Sequence, residues 1–397
     1  MKNVFEHLRD MGSEAPLLYI IATGAGAGLQ RLVWDIPGIS NFFAGAAMPY
    51  ATAETVELLG FTPDVGPRGK PEYVTDKVAI DLAMTAYMKA WVPGRKAIGL
   101  GMTCSVASKV AHKHGDHRII ASVFGEDGCW VLSAVIPKGE GDEQRRVDGE
   151  LADRLAMDLL AQFLKGDASA GLANDYPGCQ ISLVSYGPTS DYPRARLFAR
   201  PLFWADGTRE AASALDPSKV VIFAGAFNPP HPGHFGAAEA AVQAIAAKMG
   251  QCRKLVYATT ATHPIKAALT TAECLQRARM MKGRSFLVSE GDGLYIEKAR
   301  RFPGAVFAMG ADALDRMLDP QWGPVTPMLH EFYSLGTRFM VSRRKDGDRV
   351  LDCEGVVRAR LGGTVLHTPH GHLFTSVDFQ LDLSSTQLRA ASANQKV

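Results

Sequence analysis

Two histidines three residues apart, His231 and His234, close the run Gly225-Ala226-Phe227-Asn228-Pro229-Pro230-His231-Pro232-Gly233-His234, directly after the apolar stretch Lys219-Val220-Val221-Ile222-Phe223-Ala224. A buried strand that ends in a Gly- and Pro-rich turn, with imidazoles where a helix begins, gathers ring nitrogens and unpaired backbone N–H groups in one small space. That is the chemistry of a nucleotide-phosphate site. Histidines that only bond nearby carbonyls, or a pair of metal ligands, are the competing readings, and the context of the run favours phosphate.

The elements around this run must hold it at the end of a strand. After Lys219 the sequence alternates strand-like segments, Val220–Ala224, Lys254–Ala258, Ser285–Ser289, Ala305–Met309 and Arg338–Ser342, with helical patterns between most of them. Such repetition implies a Rossmann-like, doubly wound parallel sheet. Ligands of such sheets bind outside the carboxyl ends of the strands where strand order reverses, which is where the histidine turn belongs. The first half is α/β as well. It has a strand at Leu17–Ala22, a glycine turn at Gly24-Ala25-Gly26-Ala27-Gly28, helices at Ala53–Leu59 and Thr75–Trp91, strands at Ala97–Gly101, Arg118–Phe124 and Trp130–Ile136, and a long helix over Asp142–Leu164. Between the halves, Asn174-Asp175-Tyr176-Pro177-Gly178 and Gly187-Pro188-Thr189-Ser190-Asp191-Tyr192-Pro193 punctuate a connector, in which Ile181–Ser185 and Leu197–Trp204 carry strand-like content that either neighbour can accommodate. The expected organisation is two α/β domains, 1–165 and 219–397, joined by a connector at 166–218.

Composition narrows the function classes. With 397 residues, each half is long enough to bury its own core. The balance of 43 Lys+Arg against 41 Asp+Glu leaves +2, and without a long basic block neither nucleic acid nor a membrane surface is an expected partner. Six cysteines without CxxC pairs predict reduced thiols in a cytoplasmic protein rather than a disulfide or zinc framework. No apolar run reaches membrane-spanning length, and the start Met1-Lys2-Asn3-Val4-Phe5-Glu6-His7 lacks a signal peptide's apolar core. His367, His370 and His372, set around Pro369 and Gly371, read as a surface loop, so no protein-held metal is expected.

The second half resembles the nucleotidylyltransferase superfamily, and within it the nicotinate or nicotinamide mononucleotide adenylyltransferases. The Gly225–His234 run is similar to the family's G-x-F-x-P-x-H-x-G-H, and Asp382-Leu383-Ser384-Ser385-Thr386-Gln387-Leu388-Arg389 to its I-S-S-T-x-I-R. Between them, His263-Pro264-Ile265-Lys266, followed by Glu273 and Arg277, resembles the family's substrate loop, and Met309-Gly310-Ala311-Asp312 with Trp322 beyond it resembles the G-x-D…W segment. The resemblance implies attack of a mononucleotide phosphate on the α-phosphorus of ATP. Because such a phosphate has a second pKa of about 6, it needs no general base, and the site's work is alignment and charge neutralisation. His231, His234 and Arg389 are the catalytic residues so implied, with His234 nearest the α-phosphate. Gly225, Phe227, Gly233, Ser385, Thr386 and Lys266 would bind ATP, and Asn228, Asp312 and Trp322 the acceptor. Mg2+ arrives with ATP, held mainly by the triphosphate and water. On the residues alone, Lys266 can equally be a solvated surface lysine, Asp312 a helix cap and Trp322 core filling.

Residues 16 to 165 resemble the CinA C-terminal domain family, which includes nicotinamide mononucleotide deamidases. The carriers are Ala22-Thr23-Gly24-Ala25-Gly26-Ala27-Gly28, Asp35-Ile36-Pro37-Gly38-Ile39-Ser40-Asn41-Phe42-Phe43, Tyr50 and Gly141-Asp142. The family's serine nucleophile falls at Thr23 and its lysine at Thr55, which cannot act as a base. The family's Thr-Gly segment after the middle strand becomes Gly99-Leu100-Gly101-Met102-Thr103. Thr23, Tyr50 and Arg145 are the candidate residues of this half, with Arg145 or Arg146 either meeting a phosphate or lying on a solvated helix face. The resemblance implies an α/β layer fold and a homo-oligomer, and the departures at Thr23 and Thr55 imply a catalytically degenerate domain.

The two resemblances together imply adenylyl transfer from ATP to nicotinate or nicotinamide mononucleotide, giving deamido-NAD or NAD plus pyrophosphate. The alternatives are a different phosphorylated acceptor, deamidase activity in the first domain, and a non-enzymatic nucleotide sensor.

Overall fold

The structure is a computed structural model that describes residues 3–110, 115–168, 176–346, 349–362 and 370–380. The chain divides into two α/β units, one formed by Met1–Ala199 with Thr270–Arg279 and the other by Arg200–Leu269 with Met280–Val397.

In the first unit, β1 (Leu17–Thr23), β2 (Phe43–Ala47), β3 (Ala97–Ser105), β4 (His117–Gly125), β5 (Gly128–Ile136) and β6 (Gln180–Tyr186) form one sheet in the order β2-β1-β3-β4-β5-β6. β1 is parallel to both its neighbours, and from β3 to β6 the pairing is antiparallel. Its helices are α1 (Val4–Asp10), α2 (Ala27–Trp34), α3 (Thr52–Leu59), α4 (Asp76–Ala90), α5 (Gly141–Lys165) and α6 (Asp191–Ala199). Alternation along β1 sends Leu18 and Ile20 into one core, with Leu29, Leu155 and Leu159, and Ile21 into another, with Leu59, Val78 and Leu82.

The strand expected at Ala97–Gly101 runs on to Ser105 as β3, so the Gly99–Thr103 segment lies wholly within it, and Thr103 pairs with Thr23. Its glycines let α4 lie directly on the strand. A Cβ at Gly99 would stand 2.0 Å from the Ala83 carbonyl oxygen, and one at Gly101 2.3 Å from the Ala83 nitrogen.

The connector is shared out. β6 completes the first sheet, whereas β7 (Leu202–Phe203) and β8 (Arg209–Glu210) add an antiparallel edge to the second. Leu197–Ala199, expected as extended chain, is helical instead. Two side chains decide this against local propensity: Leu197 is fully buried, and Arg196 donates to Asp81 Oδ2 (2.6 Å) and Asp64 Oδ2 (3.0 Å).

The second sheet also contains β9 (Val220–Ala224), β10 (Lys254–Thr260), β11 (Phe286–Ser289), β12 (Val306–Gly310) and β13 (Arg338–Ser342); after the separate hairpin of β14 (Arg344–Asp346) and β15 (Arg349–Leu351) comes β16 (Phe374–Val377). Its order is β16-β13-β12-β9-β10-β11-β7-β8, parallel from β16 to β11. The chain leaves β9 for β10 and β11 on one side and then crosses to β12, β13 and β16 on the other. This is the doubly wound order of dinucleotide-binding sheets, with the reversal beside β9. The remaining helices are α7 (Pro232–Met249), α8 (Thr271–Met280, grouped mainly with the first unit), α9 (Tyr295–Arg301), α10 (Ala311–Met317), α11 (Val325–Ser334) and α12 (Cys353–Leu361). Phe307, Phe339 and Phe374 stack across β12, β13 and β16 at centroid separations of 5.9 and 5.5 Å, forming part of the unit's core. Among the described residues no helix is long and apolar enough to cross a membrane.

Candidate active site

The histidine turn is built from the sheet outward. Gly225 N–H still donates to the Ala258 carbonyl (2.9 Å), extending the β9–β10 ladder by one residue. The backbone then enters the left-handed region at Phe227 (φ 47°), a conformation that costs a side-chain-bearing residue energy and persists only where packing enforces it. Here the enforcement is the ring itself. Phe227 is fully buried, with its centroid 5.7 Å from that of Tyr257 and 5.9 Å from that of Phe286. Sequence assigns Phe227 to ATP binding, but its ring is unavailable to a ligand and serves instead to anchor the turn. Asn228, by contrast, is exposed.

His231 caps α7, and its ring stacks on that of His234 with centroids 3.7 Å apart and planes 28° apart. The His231 backbone N–H donates to His234 Nδ1 (3.3 Å), so the neutral His234 ring carries its proton on Nε2. His231 is buried, and among the described residues its Nδ1 has no hydrogen-bond partner. Two unit charges at 3.7 Å would repel by roughly 4 kcal/mol at an effective dielectric of about 20, so the pair resists double protonation. Burial pushes His234 down to about 4, with the His231 ring and the Arg344 guanidinium adding to the effect. Burial and Arg344 lower His231 as well. The rings are therefore hydrogen-bonding groups at neutral pH, and the fixed charge beside them is Arg344. Sequence reading missed Arg344. The available signal was the basic pair Arg343-Arg344 immediately beyond the carboxyl end of β13, the edge where this fold places its ligands.

The other predicted residues of this unit follow the carboxyl ends of neighbouring parallel strands. His263 and Lys266, both exposed, face each other across a tight turn after β10, with Ile265 N–H donating to His263 Nδ1 (3.2 Å). Burial, Lys266, Lys298 and Arg316 all lower the His263 pKa, so the turn after β10 and the helices α9 and α10 bring positive charge near His263. Asp312, in the first turn of α10, accepts from Arg316 (2.8 Å), and Trp322 is half-buried in a short turn beyond that helix. Gly233 is buried in the first turn of α7. Glu273 and Arg277 belong to the stretch grouped with the first unit, on α8, where Glu273 Oε2 accepts from Thr270 N–H (2.8 Å) at the helix start and Arg277 is buried. Ser384, Ser385, Thr386 and Arg389 lie outside the described residues, as does His367. Just before that segment, Phe379 packs on Gly236, two residues beyond His234, where a Cβ would stand 2.4 Å from the ring.

No family model matches the sequence, and no curated protein matches it. Solved structures similar to this chain are competence/damage-inducible proteins of the CinA superfamily, aligned over its N-terminal part. The superfamily protein from Escherichia coli is 11% identical, with 40% of this chain and 87% of that one covered and a TM-score of 0.30. The protein from Agrobacterium tumefaciens is 15% identical over 42% and 96% of the two chains, with a TM-score of 0.28, and that from Enterobacter asburiae is 13% identical over 42% and 99%, with a TM-score of 0.29.

In the first unit, the candidate residues lie on separate elements. Thr23 is half-buried at the end of β1, and Tyr50 is 75% exposed. Thr55 is buried, with its hydroxyl on the Ala51 carbonyl of its own helix (3.4 Å). Arg145 donates to the Ala107 carbonyl (2.8 Å), and Arg146 pairs with Glu143 and Glu150 on the solvated face of α5. The glycine turn is filled from within the protein. The Asp153 carboxylate on α5 accepts from the backbone N–H groups of Leu29 and Gly28 at the start of α2, and a Cβ at Gly28 would stand 1.9 Å from Asp153 Oδ2. Burial raises Asp153 to about 6 against the pull of those amides.

Proposed function

We propose that the second unit transfers the adenylyl group of ATP to the phosphate of nicotinate or nicotinamide mononucleotide, giving deamido-NAD or NAD and releasing pyrophosphate. The observation that carries this reading is the stacked His231/His234 pair at the head of α7, at the reversal of strand order, with Arg344 beside it. An oxygen of the acceptor phosphate attacks the α-phosphorus, the bond from that phosphorus to the oxygen bridging it to the β-phosphorus breaks, and pyrophosphate leaves with the electron pair. No proton has to be removed from a phosphate that is already ionised.

His234, with its proton on Nε2, donates to an oxygen of the reacting phosphate and gains positive character as negative charge accumulates there. The N-terminal amides of α7 add their dipole. Arg344 supplies the permanent charge that the neutral rings lack. Arg389, Ser385 and Thr386 are assigned to the leaving phosphates, Lys266 to a substrate phosphate, and Asn228, Asp312 and Trp322 to the acceptor. Mg2+ enters as part of the MgATP substrate.

The test is to incubate the purified chain with MgATP and a panel of acceptor phosphates while following pyrophosphate, ammonia and dinucleotide. The expected result is pyrophosphate formation in step with dinucleotide, dependent on a pyridine mononucleotide. Pyrophosphate released with other acceptors alone would overturn the acceptor, and ammonia released from nicotinamide mononucleotide, then lost in Thr23→Ala, would move the chemistry to the first unit.

A further inference from the structure

At the carboxyl ends of β10 and β11 lies a buried ionic cluster that the proposed chemistry does not use. Lys298 on α9 is 5% exposed and Asp292, in the loop before it, 3%. Lys298 Nζ donates to Thr260 Oγ1 (2.5 Å) and to the Asp292 backbone carbonyl, and stands 3.6 Å from Asp292 Oδ1. Asp292 Oδ1 in turn accepts from Ser289 Oγ (2.5 Å) and Thr260 Oγ1 (3.1 Å). Thr260 ends β10 and Ser289 ends β11, so this one cluster fixes both strand ends.

The cluster also reaches the loop that begins at the next residue. Gly291 N–H donates to Thr262 Oγ1 (3.0 Å), Ala261 N–H donates to the Ser289 carbonyl (2.7 Å), and a Cβ at Gly293 would stand 2.7 Å from the Pro264 ring. Residues 289–293 therefore form the bed on which 261–264 lies, and Lys298 with Asp292 fixes that bed. Burying an ion pair costs desolvation that an apolar pair of similar volume avoids, so net stability is a weak reason for such a pair to stand here. Geometry is a better one, because charged hydrogen bonds fix distance and direction where apolar contacts allow sliding.

The geometry points to Lys298, acting with Asp292, as a positioning residue that sets the His263–Lys266 loop for the acceptor nucleotide. Lys298 does not touch substrate itself, since its ammonium is buried and engaged by Thr260 and Asp292. The inference rests on the adenylyl-transfer reading for its kinetic consequence but not for its structural one.

The double variant Lys298→Met/Asp292→Leu removes both charges at similar volume, so that neither is left buried alone. With the full-length chain, the acceptor KM of this variant is expected to rise about tenfold or more, with the KM for MgATP unchanged. Amide hydrogen exchange is expected to accelerate across 261–266 and to stay unchanged across 225–236. An unaltered exchange rate at 261–266, or an equal rise in both KM values, overturns the positioning role. If the parent chain transfers no adenylyl group, the exchange measurement still decides this inference, and only the functional reading fails.

Discussion

His234 has its proton placed by its neighbour's backbone, its charge suppressed by burial, and its ring held in place by a stacked His231 and an edge-on Phe227. A group so prepared provides one directed N–H and little ground-state charge, which suits stabilisation of charge that appears only as the reaction proceeds. His234→Ala is expected to lower kcat by a factor of about 100 to 1000 while leaving the circular dichroism spectrum intact. The two histidines were legible because their spacing fits within a single helical turn and the strand before them is unmistakable. Arg344, Lys298 and Asp292 were not, because they follow strands other than β9, Arg344 after β13 and Asp292 with Lys298 after β11, and spacing along the chain carries no trace of that meeting. The direction in which the Phe227 ring points was hidden for a related reason. A motif marks a residue as required without telling whether its side chain faces the ligand or the core.

β1, β3, β4 and β5 of the first unit and β9 to β13 of the second announced themselves as apolar runs between turn residues, and the alternation of strands and helices indicated the second sheet, whereas the edge strands β2 and β16 went unread. What propensity concealed were elements held by particular contacts. α6 is helical because Arg196 meets Asp81 and Leu197 is buried, and Pro193 in its first turn is no obstacle there. The glycines of β3 were read within a strand, but what the sequence did not tell is why they are glycines: they let a helix press against that strand. Since the atoms that a Cβ at Gly101 would meet are the Ala83 nitrogen and the Ala79 carbonyl oxygen, no side chain can move aside to admit it. Gly101→Ala is expected to destabilise the first unit by about 3 kcal/mol or more, measured by urea unfolding, with adenylyl transfer at low denaturant unaffected.

At the scale of the whole molecule, the two units respond to acid in opposite directions. His234 titrates near 6.5 when unfolded and about 4 in the fold, so the unfolded chain binds the proton first and the second unit loses stability as pH falls from 6.5 towards 4. Asp153 titrates near 3.8 when unfolded and about 6 in the fold, so the same fall in pH makes the first unit more stable. Calorimetry at pH 7 and pH 5 is expected to show the transition of the second unit moving down relative to that of the first, a shift diminished by Asp153→Asn or His234→Gln. The carboxylate at Gly28 has one more consequence. It is a tethered competitor whose effective concentration is set by the fold and not by the solution, so a free phosphate ion meets an occupied seat at the head of α2. Added phosphate should accordingly raise the melting temperature of the second unit alone. In Asp153→Ala the seat is vacated, and the first unit should acquire a phosphate-dependent stabilisation that it lacks with its own anion in place.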